Sequence, residues 1–422
     1  MQMRITFKKM LAFSVALWPI LDTYVLFAGI NIGEMLVLAS SFCCMLTYGK
    51  LRIDRIKYLY LYMLLISLVG GVVHRSHLAD DYGQNVLSYV LYAIFLICVT
   101  CFTDKDTFFD VYTKVSTVVC CLSLLQFILM SVGIKFVEII PGIPNAVDMS
   151  YSELQNYLVR MCGPFQEPAH LVQYLSVAVV ILFYGAQRNI KVLLLHIVTI
   201  CLTLSGNGLV ILAAIFGIKI LSNLKEKNVK IFIRTVGVII GLSIALVIMY
   251  LYVPDFRRLL MRASEITGNS KVEALGYVSA SGYFRVKYGF DIFMNTPVSG
   301  QLFGLGAGIF NTIYKSYDVV PDLLQGVYNS SLLLFRSGFT TVLIDFGLVG
   351  MLIYLIYLFR KRSRQSKQVA LILLIIQLIA SVINTSIWVI FILLVITFDD
   401  NKGNVNSVKH KINNMNLEQQ GL

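Results

Sequence analysis

Arginine residues recur in two polar stretches of an otherwise apolar chain, at about residues 135–168 and 253–337. A guanidinium group stays charged at any physiological pH and offers a planar fork of N–H donors, which suits it to anions such as phosphate. The alternative is that these groups contact lipid headgroups or form salt bridges within loops. The arginines concerned are Arg160, Arg257, Arg258, Arg262 and Arg285. From charge alone, headgroup contacts or loop salt bridges are the commoner role, and anion binding along the two long segments is the functional alternative.

The elements that must position these segments are apolar helices. Of the 422 residues, 57% are hydrophobic and 14% are charged. A soluble domain averages about 25% charged residues and cannot bury this much apolar surface in one core. The composition therefore predicts an all-α, polytopic transmembrane protein.

Stretches of about 16 to 21 mainly apolar residues recur between short polar breaks, close to the ~20 residues that cross a bilayer. We predict about 12 spans in one membrane domain over residues 1–398, followed by a disordered cytoplasmic tail over residues 399–422. Ten or eleven spans stay open as alternatives, because almost nothing separates the last two. The predicted spans are 10–30, 33–48, 58–73, 86–102, 115–134, 169–186, 192–204, 208–222, 232–252, 338–359, 368–381 and 383–398.

Lysine and arginine predict the orientation. Alternate breaks are basic, at about 50–57, 225–234 and 360–367. The positive-inside rule places these breaks in the cytoplasm together with both termini. The two long polar stretches then face the outer side as loops. The net charge of +12 is thus explained by topology. A nucleic-acid partner is not predicted, because the sequence has no basic patch on a soluble domain.

Four short patterns between about residues 155 and 350 occur in an order, and with a loop topology, typical of a known family. They are Arg160-x-x-Gly163-x-Phe165-x-Glu167-Pro168-x-His170, Ser205-x-x-Gly208, Ser281-Gly282-x-x-Arg285 followed by Pro297, Gly300, Gly304, Gly306 and Gly308, and Asp345-x-Gly347-x-x-Gly350. Glycine and serine are common in membrane helices for packing, so their order and spacing together carry the argument. The chain resembles the Wzy-type O-antigen and polysaccharide polymerases.

The resemblance implies a transferase at the outer face of the bacterial cytoplasmic (inner) membrane, similar to the GT-C class of helical glycosyltransferases. Its donor would be a growing chain on undecaprenyl diphosphate, and its acceptor an oligosaccharide repeat unit on a second undecaprenyl diphosphate. An acceptor hydroxyl displaces the lipid diphosphate from the anomeric carbon. Such chemistry requires cations for the leaving diphosphate and a base for the hydroxyl proton. A chain-length regulator is a candidate partner, and no cofactor is expected.

The resemblance assigns roles to four residues. Arg160 and Arg285 are the candidates for binding the diphosphate. Glu167 is the leading candidate for the base, since partial burial beside a span raises the pKa of a carboxyl group. His170 would share the proton transfer or orient Glu167. The alternatives are headgroup contacts for the arginines, a hydrogen bond or ion pair with Arg160 for Glu167, and a structural role for His170.

Other polar residues are weaker candidates. Asp345 and Asp22 fall inside predicted spans, where an acidic side chain is costly and is a functional candidate for that reason. Ser205 is interpreted as a helix-turn cap, because no His or Asp is placed to activate it. Ligases related to the polymerases typically carry a His-Asn pair in the second loop, where this chain has Tyr328 and Asn329. Asn329 is therefore a lower-ranked site residue, and the tyrosine favours a polymerase over a ligase.

A lipid-linked oligosaccharide flippase is the third alternative. Transporters usually show paired repeats and Gly- or Pro-broken helices at mid-membrane, with short outer loops. This chain has long outer loops and no visible repeat. No metal site is predicted either, because Asp104-Lys-Asp106 and His74-x-x-His77 are each explained as short polar loops.

Overall fold

In the computed structural model, about 87% of the described residues are helical, which confirms the all-α prediction. The described residues are 2–22, 24–27, 30–49, 56–73, 82–132, 161–165, 167–185, 189–203, 205–225, 237, 241, 251, 289–307, 337–379 and 385–399. The helices are α1 (Gln2–Leu21), α2 (Ile32–Tyr48), α3 (Ile56–Val73), α4 (Tyr82–Phe102), α5 (Lys105–Ser131), α6 (Pro168–Tyr184), α7 (Ile190–Leu202), α8 (Gly206–Lys225), α9 (289–295), α10 (Val298–Phe303), α11 (Gly338–Phe359), α12 (Arg364–Ile379) and α13 (Thr385–Thr397).

The first helix ends earlier than the predicted span 10–30. Helix α1 stops at Leu21, and a small antiparallel hairpin of β1 (Val25–Phe27) and β2 (Ile30–Asn31) reverses the chain before α2. Asp22 lies just after the helix, where its carboxylate accepts a hydrogen bond from Ser386 Oγ at 2.6 Å. The expectation that Asp22 lies inside a span is therefore wrong, because the chain turns at the helix end.

Helix α2 begins with a reciprocal cap that explains a buried carboxylate. Asn31 accepts from the backbone N–H of Glu34 at 2.7 Å, and Glu34 accepts from the backbone N–H of Asn31 at 3.1 Å. Such a capping box satisfies two helix-terminal donors at once. Glu34 also accepts a hydrogen bond from Tyr92 Oη on α4 at 2.9 Å. The Glu34 side chain therefore links α2 to α4 and has a structural role.

Basic side chains are segregated to one end of the helical bundle. Every lysine and arginine whose side chain is described lies in the half of its helix nearer one end, which we call the basic end. These residues are Lys8, Lys9, Lys105, Lys114, Lys191, Lys219, Arg360, Lys361, Arg362, Arg364 and Lys367. Ring contacts join this end across helices: Lys8 lies over the Tyr48 ring, and Tyr48 stacks on Phe102. At the opposite end the described acidic residues include Asp22, Glu34 and Glu167.

The outward faces of several helices are apolar. Phe42 is 59% exposed, Leu46 is 73% exposed, and Val72 is 76% exposed. Soluble proteins rarely expose continuous apolar surfaces of this kind. Among the described residues, the helices Lys105–Ser131 and Gly338–Phe359 are long and apolar enough to cross a membrane, and most of the others are shorter apolar helices.

Helix α5 shows the change from polar to apolar surface along one face. Asp110 and Lys114 form an exposed ion pair at 2.8 Å near the basic end. Later on the same helix, Val118, Leu122 and Ile128 are each more than half exposed. One helix therefore presents a water-compatible surface followed by an apolar one.

Candidate functional site

The segment before α6 forms a buried turn. Residues Met161–Phe165 are all buried, and the Phe165 N–H donates to the Cys162 carbonyl at 3.1 Å. Gly163 has φ +56, in the left-handed region that favours glycine. A Cβ at this position would also collide with Ser123 Oγ on α5. The glycine of the Arg160 motif is thus required by local backbone shape and by packing.

A glutamine on α5 satisfies the turn. Gln126 Oε1 accepts hydrogen bonds from the backbone N–H of Cys162 at 3.1 Å and of Gly163 at 2.7 Å. Buried N–H groups without an acceptor are costly, so this single carbonyl stabilises the irregular backbone. The Phe165 ring packs against Tyr174 with centroids 5.2 Å apart. The turn is therefore fixed to both α5 and α6.

The turn leads directly to the predicted base. Glu167 is the N-cap residue of α6, and Pro168 follows at the first helical position, where its missing N–H costs nothing. The Glu167 side chain does not cap the helix, although its backbone carbonyl accepts from the N–H of His170 at 3.1 Å. Glu167 and His170 are both half-buried and lie three residues apart on the first turn. The sequence pattern thus places Glu167 and His170 at the start of one helix, at the end of the bundle opposite the basic end.

Asp345, a weaker candidate, lies at a break in the middle of α11. Gly347 has φ 68 and ψ −174 inside this helix, a conformation that is essentially restricted to glycine. Asp345 is 3% exposed. Carbonyl groups freed by the break accept hydrogen bonds from a second segment: Leu305 N–H donates to Ile344 O at 3.0 Å, and Gly306 N–H donates to Asp345 O at 2.9 Å.

Two glycines make this close approach possible. A Cβ on Gly347 would lie 2.5 Å from Gly304 N, and a Cβ on Gly304 would lie 2.5 Å from Phe346 Cα. Tyr62 on α3 places its hydroxyl 3.2 Å from both the Phe303 and the Phe346 carbonyl oxygens. Irregular backbone within a membrane is tolerated where protein covers it, and this break is covered on two sides.

The structure connects two patterns that the sequence keeps apart. The run Gly304–Gly306 and the pattern that begins at Asp345 form one packed unit. Helix α6 packs on α5, α7, α8, α12 and α13, whereas α11 packs on α3, α10 and α12. The surroundings of Glu167 and of Asp345 are therefore built from largely different helices. Arg160, Arg285 and Asn329 lie outside the described residues.

Ser205 and Gly208 have a packing explanation. Ser205 lies directly before α8, and its carbonyl accepts from the Gly208 N–H at 3.0 Å. A Cβ on Gly208 would lie 3.0 Å from Ile200 and 3.2 Å from Val172, so the glycine lets α8 approach α7 and α6. Asp104 likewise caps α5 by accepting from the Thr107 N–H at 3.2 Å. Lys105 and Asp106, predicted to lie in the same polar loop, are instead in the first turn of that helix.

Sequence reasoning missed the glutamines. Gln126 holds the turn, and Gln173 lies on α6 two turns beyond Glu167, 2% exposed, with an Oε1 that has no hydrogen-bond partner. An amide inside an apolar span is itself a signal, because polar groups there serve packing or function. Gln173 is thus a further buried polar group on α6.

Within the described part of the chain, no three His, Cys, Asp or Glu side chains come together as metal ligands would. Comparison with known protein families and with curated proteins found no match for this chain. The resemblance to the polysaccharide polymerases therefore stays a prediction that rests on the motif residues.

Proposed function

We propose that this protein is a multi-pass membrane glycosyltransferase that joins undecaprenyl-diphosphate-linked repeat units into a surface polysaccharide. The spans would number about 12, with both termini in the cytoplasm of a bacterium. The outward-facing apolar side chains support a lipid environment, since lipid rather than water is the favourable neighbour of Leu46 or Val72. The segregation of charge supports the orientation, with the basic end in the cytoplasm.

One observation carries the proposal. The glycine run at Gly304–Gly306 packs directly on the broken segment Asp345–Gly347, although about 40 residues separate them in sequence. Both belong to the patterns on which the family resemblance rests. Patterns that matched the family by chance would not be expected to share a hydrogen-bonded contact. The contact therefore supports the interpretation that both patterns belong to one functional structure.

In the proposed reaction the acceptor hydroxyl oxygen attacks the anomeric carbon of the donor sugar. The bond from that carbon to the diphosphate oxygen breaks, and the diphosphate leaves with the electron pair. Glu167 takes the hydroxyl proton, and His170 orients the carboxylate. Arg160 and Arg285 stabilise the leaving diphosphate. Glycosidic bond formation is thus balanced by release of undecaprenyl diphosphate.

The test is the length of the polysaccharide and of its lipid-linked precursor in cells that carry single variants. Glu167→Gln removes the proposed base but keeps the shape, so we expect single repeat units on lipid at unchanged protein abundance. Ala169→Ser, at a half-buried position on the same first turn, is the matched control and should leave the polymer length unchanged. Loss of Glu167→Gln protein in proportion to loss of polymer would mark Glu167 as structural and contradict its role.

The arginines are tested in the same way. Arg285→Ala and Arg160→Ala should each stop chain extension while the lipid-linked single unit accumulates. Replacement of either by lysine keeps one charge but loses the bidentate fork, so we expect partial activity. Long chains in both alanine variants would refute diphosphate binding by these residues.

The flippase alternative is favoured by one observation, the glycine break beside the buried Asp345 in the middle of α11. A polymerase extends chains in detergent solution, where there are no two compartments, whereas transport requires a sealed bilayer. Purified protein with donor and acceptor lipids in detergent therefore separates the two functions. Accessibility of cysteines introduced over residues 253–337 adds a second test, because a cytoplasmic location would exclude the polymerase.

A further inference from the structure

Three aromatic rings from different helices meet at the basic end. The Phe398 ring, just after α13, lies 5.3 Å from the Phe109 ring on α5 and 6.3 Å from the Tyr184 ring at the end of α6. The structure thus brings the first turns of α5, the last turn of α6 and the end of α13 to one place. We call these three rings the aromatic platform.

Two ammonium groups lie on this platform. Lys105 Nζ is 5.3 Å from the centroid of Phe398 and 5.6 Å from that of Phe109. Lys219 Nζ, from α8, is 4.6 Å from the centroid of Tyr184. A cation within about 6 Å of a ring centroid is attracted to the ring face. The rings therefore hold two positive charges in defined positions on the membrane-proximal surface.

The platform also contains a buried hydroxyl group, that of Tyr184, without a hydrogen-bond partner. Tyr184 is 3% exposed, and its hydroxyl makes no hydrogen bond. A buried hydroxyl is nearly always hydrogen-bonded, so an unsatisfied one needs an explanation such as a bound group. An oxygen-rich ligand beside Lys219 would supply the missing acceptor.

The charges around the platform favour an anion. Asp399 follows Phe398 directly, but Arg362 Nη1 donates to its carboxylate at 3.2 Å, and Ser363 N–H also donates to it. Arg364 donates to the Ser222 carbonyl, one turn after Lys219 on α8. The carboxylates that flank Lys105 in sequence, Asp104 and Asp106, are exposed, and Asp104 caps α5. The described carboxylates next in sequence to platform rings are Asp399, beside Phe398, and Asp110, beside Phe109. Each is already paired with a cation, Arg362 and Lys114 respectively.

Exposed apolar side chains also occur on the helices at this end of the bundle. Leu221, on the last turns of α8, is 64% exposed, and Ile190, at the start of α7, is 60% exposed. A soluble phosphate would make no use of such surface, whereas an acyl chain would cover it. The combination of two seated ammonium groups, an unsatisfied hydroxyl and exposed apolar surface at the same end fits a phospholipid.

We propose that Lys105, Lys219 and the aromatic platform bind the phosphate group of an anionic phospholipid in the cytoplasmic leaflet. This inference rests on the membrane orientation in the proposed function, and it does not depend on the sugar chemistry. Basic pockets between helices on the cytoplasmic side are suited to such headgroups. The bound lipid would bridge α5, α6, α8 and α13 at one end of the bundle.

Native mass spectrometry of the purified full-length protein tests the proposal. The protein is equilibrated with phosphatidylglycerol and phosphatidylcholine of identical acyl chains, and the ratio of retained lipids is measured. Each lysine near an anionic headgroup contributes about fivefold to binding. Lys105→Gln with Lys219→Gln should therefore lower the preference for phosphatidylglycerol by about 30-fold at most.

The matched control removes two charges from the same end without touching the platform. Lys191 and Lys367 are both exposed, and Lys191→Gln with Lys367→Gln should keep the preference within about twofold. Equal retention of phosphatidylglycerol in the two double variants would overturn the proposal. Displacement of the lipid by millimolar inorganic phosphate would also overturn it, by assigning the site to soluble phosphate.

Failure of the lipid-binding proposal can be distinguished from failure of the proposed function. Lipid retention is measured on purified protein, so loss of chain extension in Glu167→Gln leaves it unaffected. Release of the wild-type protein from membranes by alkaline carbonate would instead count against both.

Discussion

The turn at Met161–Phe165 and the break at Gly347 both place non-helical backbone among apolar helices, but different groups satisfy the two segments. At the turn, one side-chain carbonyl of Gln126 accepts from two main-chain N–H groups. At the break, the N–H groups of Leu305 and Gly306 donate to main-chain carbonyls of α11. The turn therefore depends on a side chain, whereas the break depends on two backbones that must touch.

This difference determines how each region responds to substitution. The contact at the break excludes any side chain at Gly304 or Gly347, so small changes there are expected to be severe. The turn contacts one serine and one glutamine on α5, and each of these is replaceable on its own. The contact at the break therefore tolerates no side chain, whereas the turn that precedes Glu167 is held by side chains that can be replaced one at a time.

The largest effect is expected at the break. Gly347→Ala forces an alanine into a glycine-only conformation and places its Cβ 2.5 Å from Gly304 N and Leu302 O. Backbone strain and overpacking together cost about 3 kcal/mol or more. We expect most of the protein to be lost from membranes, as measured by immunoblotting against wild type.

Gly217→Ala is the matched control for the break. Gly217 lies in α8 with nothing within 4 Å of a Cβ. Alanine in a helix interior is favoured over glycine by about 1 kcal/mol, so abundance should be equal to or above wild type. Equal abundance of Gly347→Ala and Gly217→Ala would show that the contact with Gly304 does not constrain the fold.

The next largest effect is expected for Gly163→Ala. The left-handed φ of 56 costs an alanine about 1 to 2 kcal/mol, and its Cβ would also meet Ser123 Oγ. Adding Ser123→Ala removes the steric part and leaves the backbone part. We expect the double variant to recover some but not all of the melting temperature of the purified protein. No recovery would mean that backbone strain alone accounts for the loss.

A smaller effect is expected when the support of the turn loses its acceptor. Gln126→Met keeps the length of the side chain but leaves the N–H groups of Cys162 and Gly163 without their carbonyl partner. Each buried unsatisfied donor costs about 1 to 3 kcal/mol. The variant should have a lower melting temperature and shorter polysaccharide, because Glu167 would lose its fixed position.

The exposed Ile128, two residues farther along α5, provides the control for Gln126. Ile128→Met changes the lipid-facing surface, since this residue is 59% exposed, and should alter neither property. Shortened polysaccharide in both variants would assign the effect to α5 as a whole rather than to the turn.

Most helices could be predicted from the sequence because polar residues mark where each uninterrupted apolar run begins and ends. The predicted span 338–359 coincides with Gly338–Phe359, since polar residues bound the run on both sides. The break at Gly347 was not predictable, because a glycine inside such a run is equally compatible with ordinary close packing. Its partner Gly304 is brought near only by tertiary structure.

The same limit applies to the candidate site. The sequence placed Glu167 directly before a span and His170 at its entry, and in the structure Glu167 is the N-cap of α6 and His170 lies in its first turn. Gln126 lies 36 residues before Cys162 in sequence, and no local pattern links an amide in one span to a turn before the next. Groups on one element were therefore predictable, and groups that support it from another element were not.

The smallest effect is expected for the hydroxyl that covers the break. Tyr62→Phe removes the donor to the Phe303 and Phe346 carbonyls, each 3.2 Å away, but keeps the ring. One neutral hydrogen bond contributes about 1 kcal/mol, so the melting temperature should fall by a few degrees while polysaccharide length is unchanged. Leu61→Met, on the same helix and 65% exposed, should have no measurable effect. Loss of polysaccharide in Tyr62→Phe at normal stability would show that the break participates in the reaction. The break in α11 would then be part of the functional site rather than a structural contact separate from Glu167.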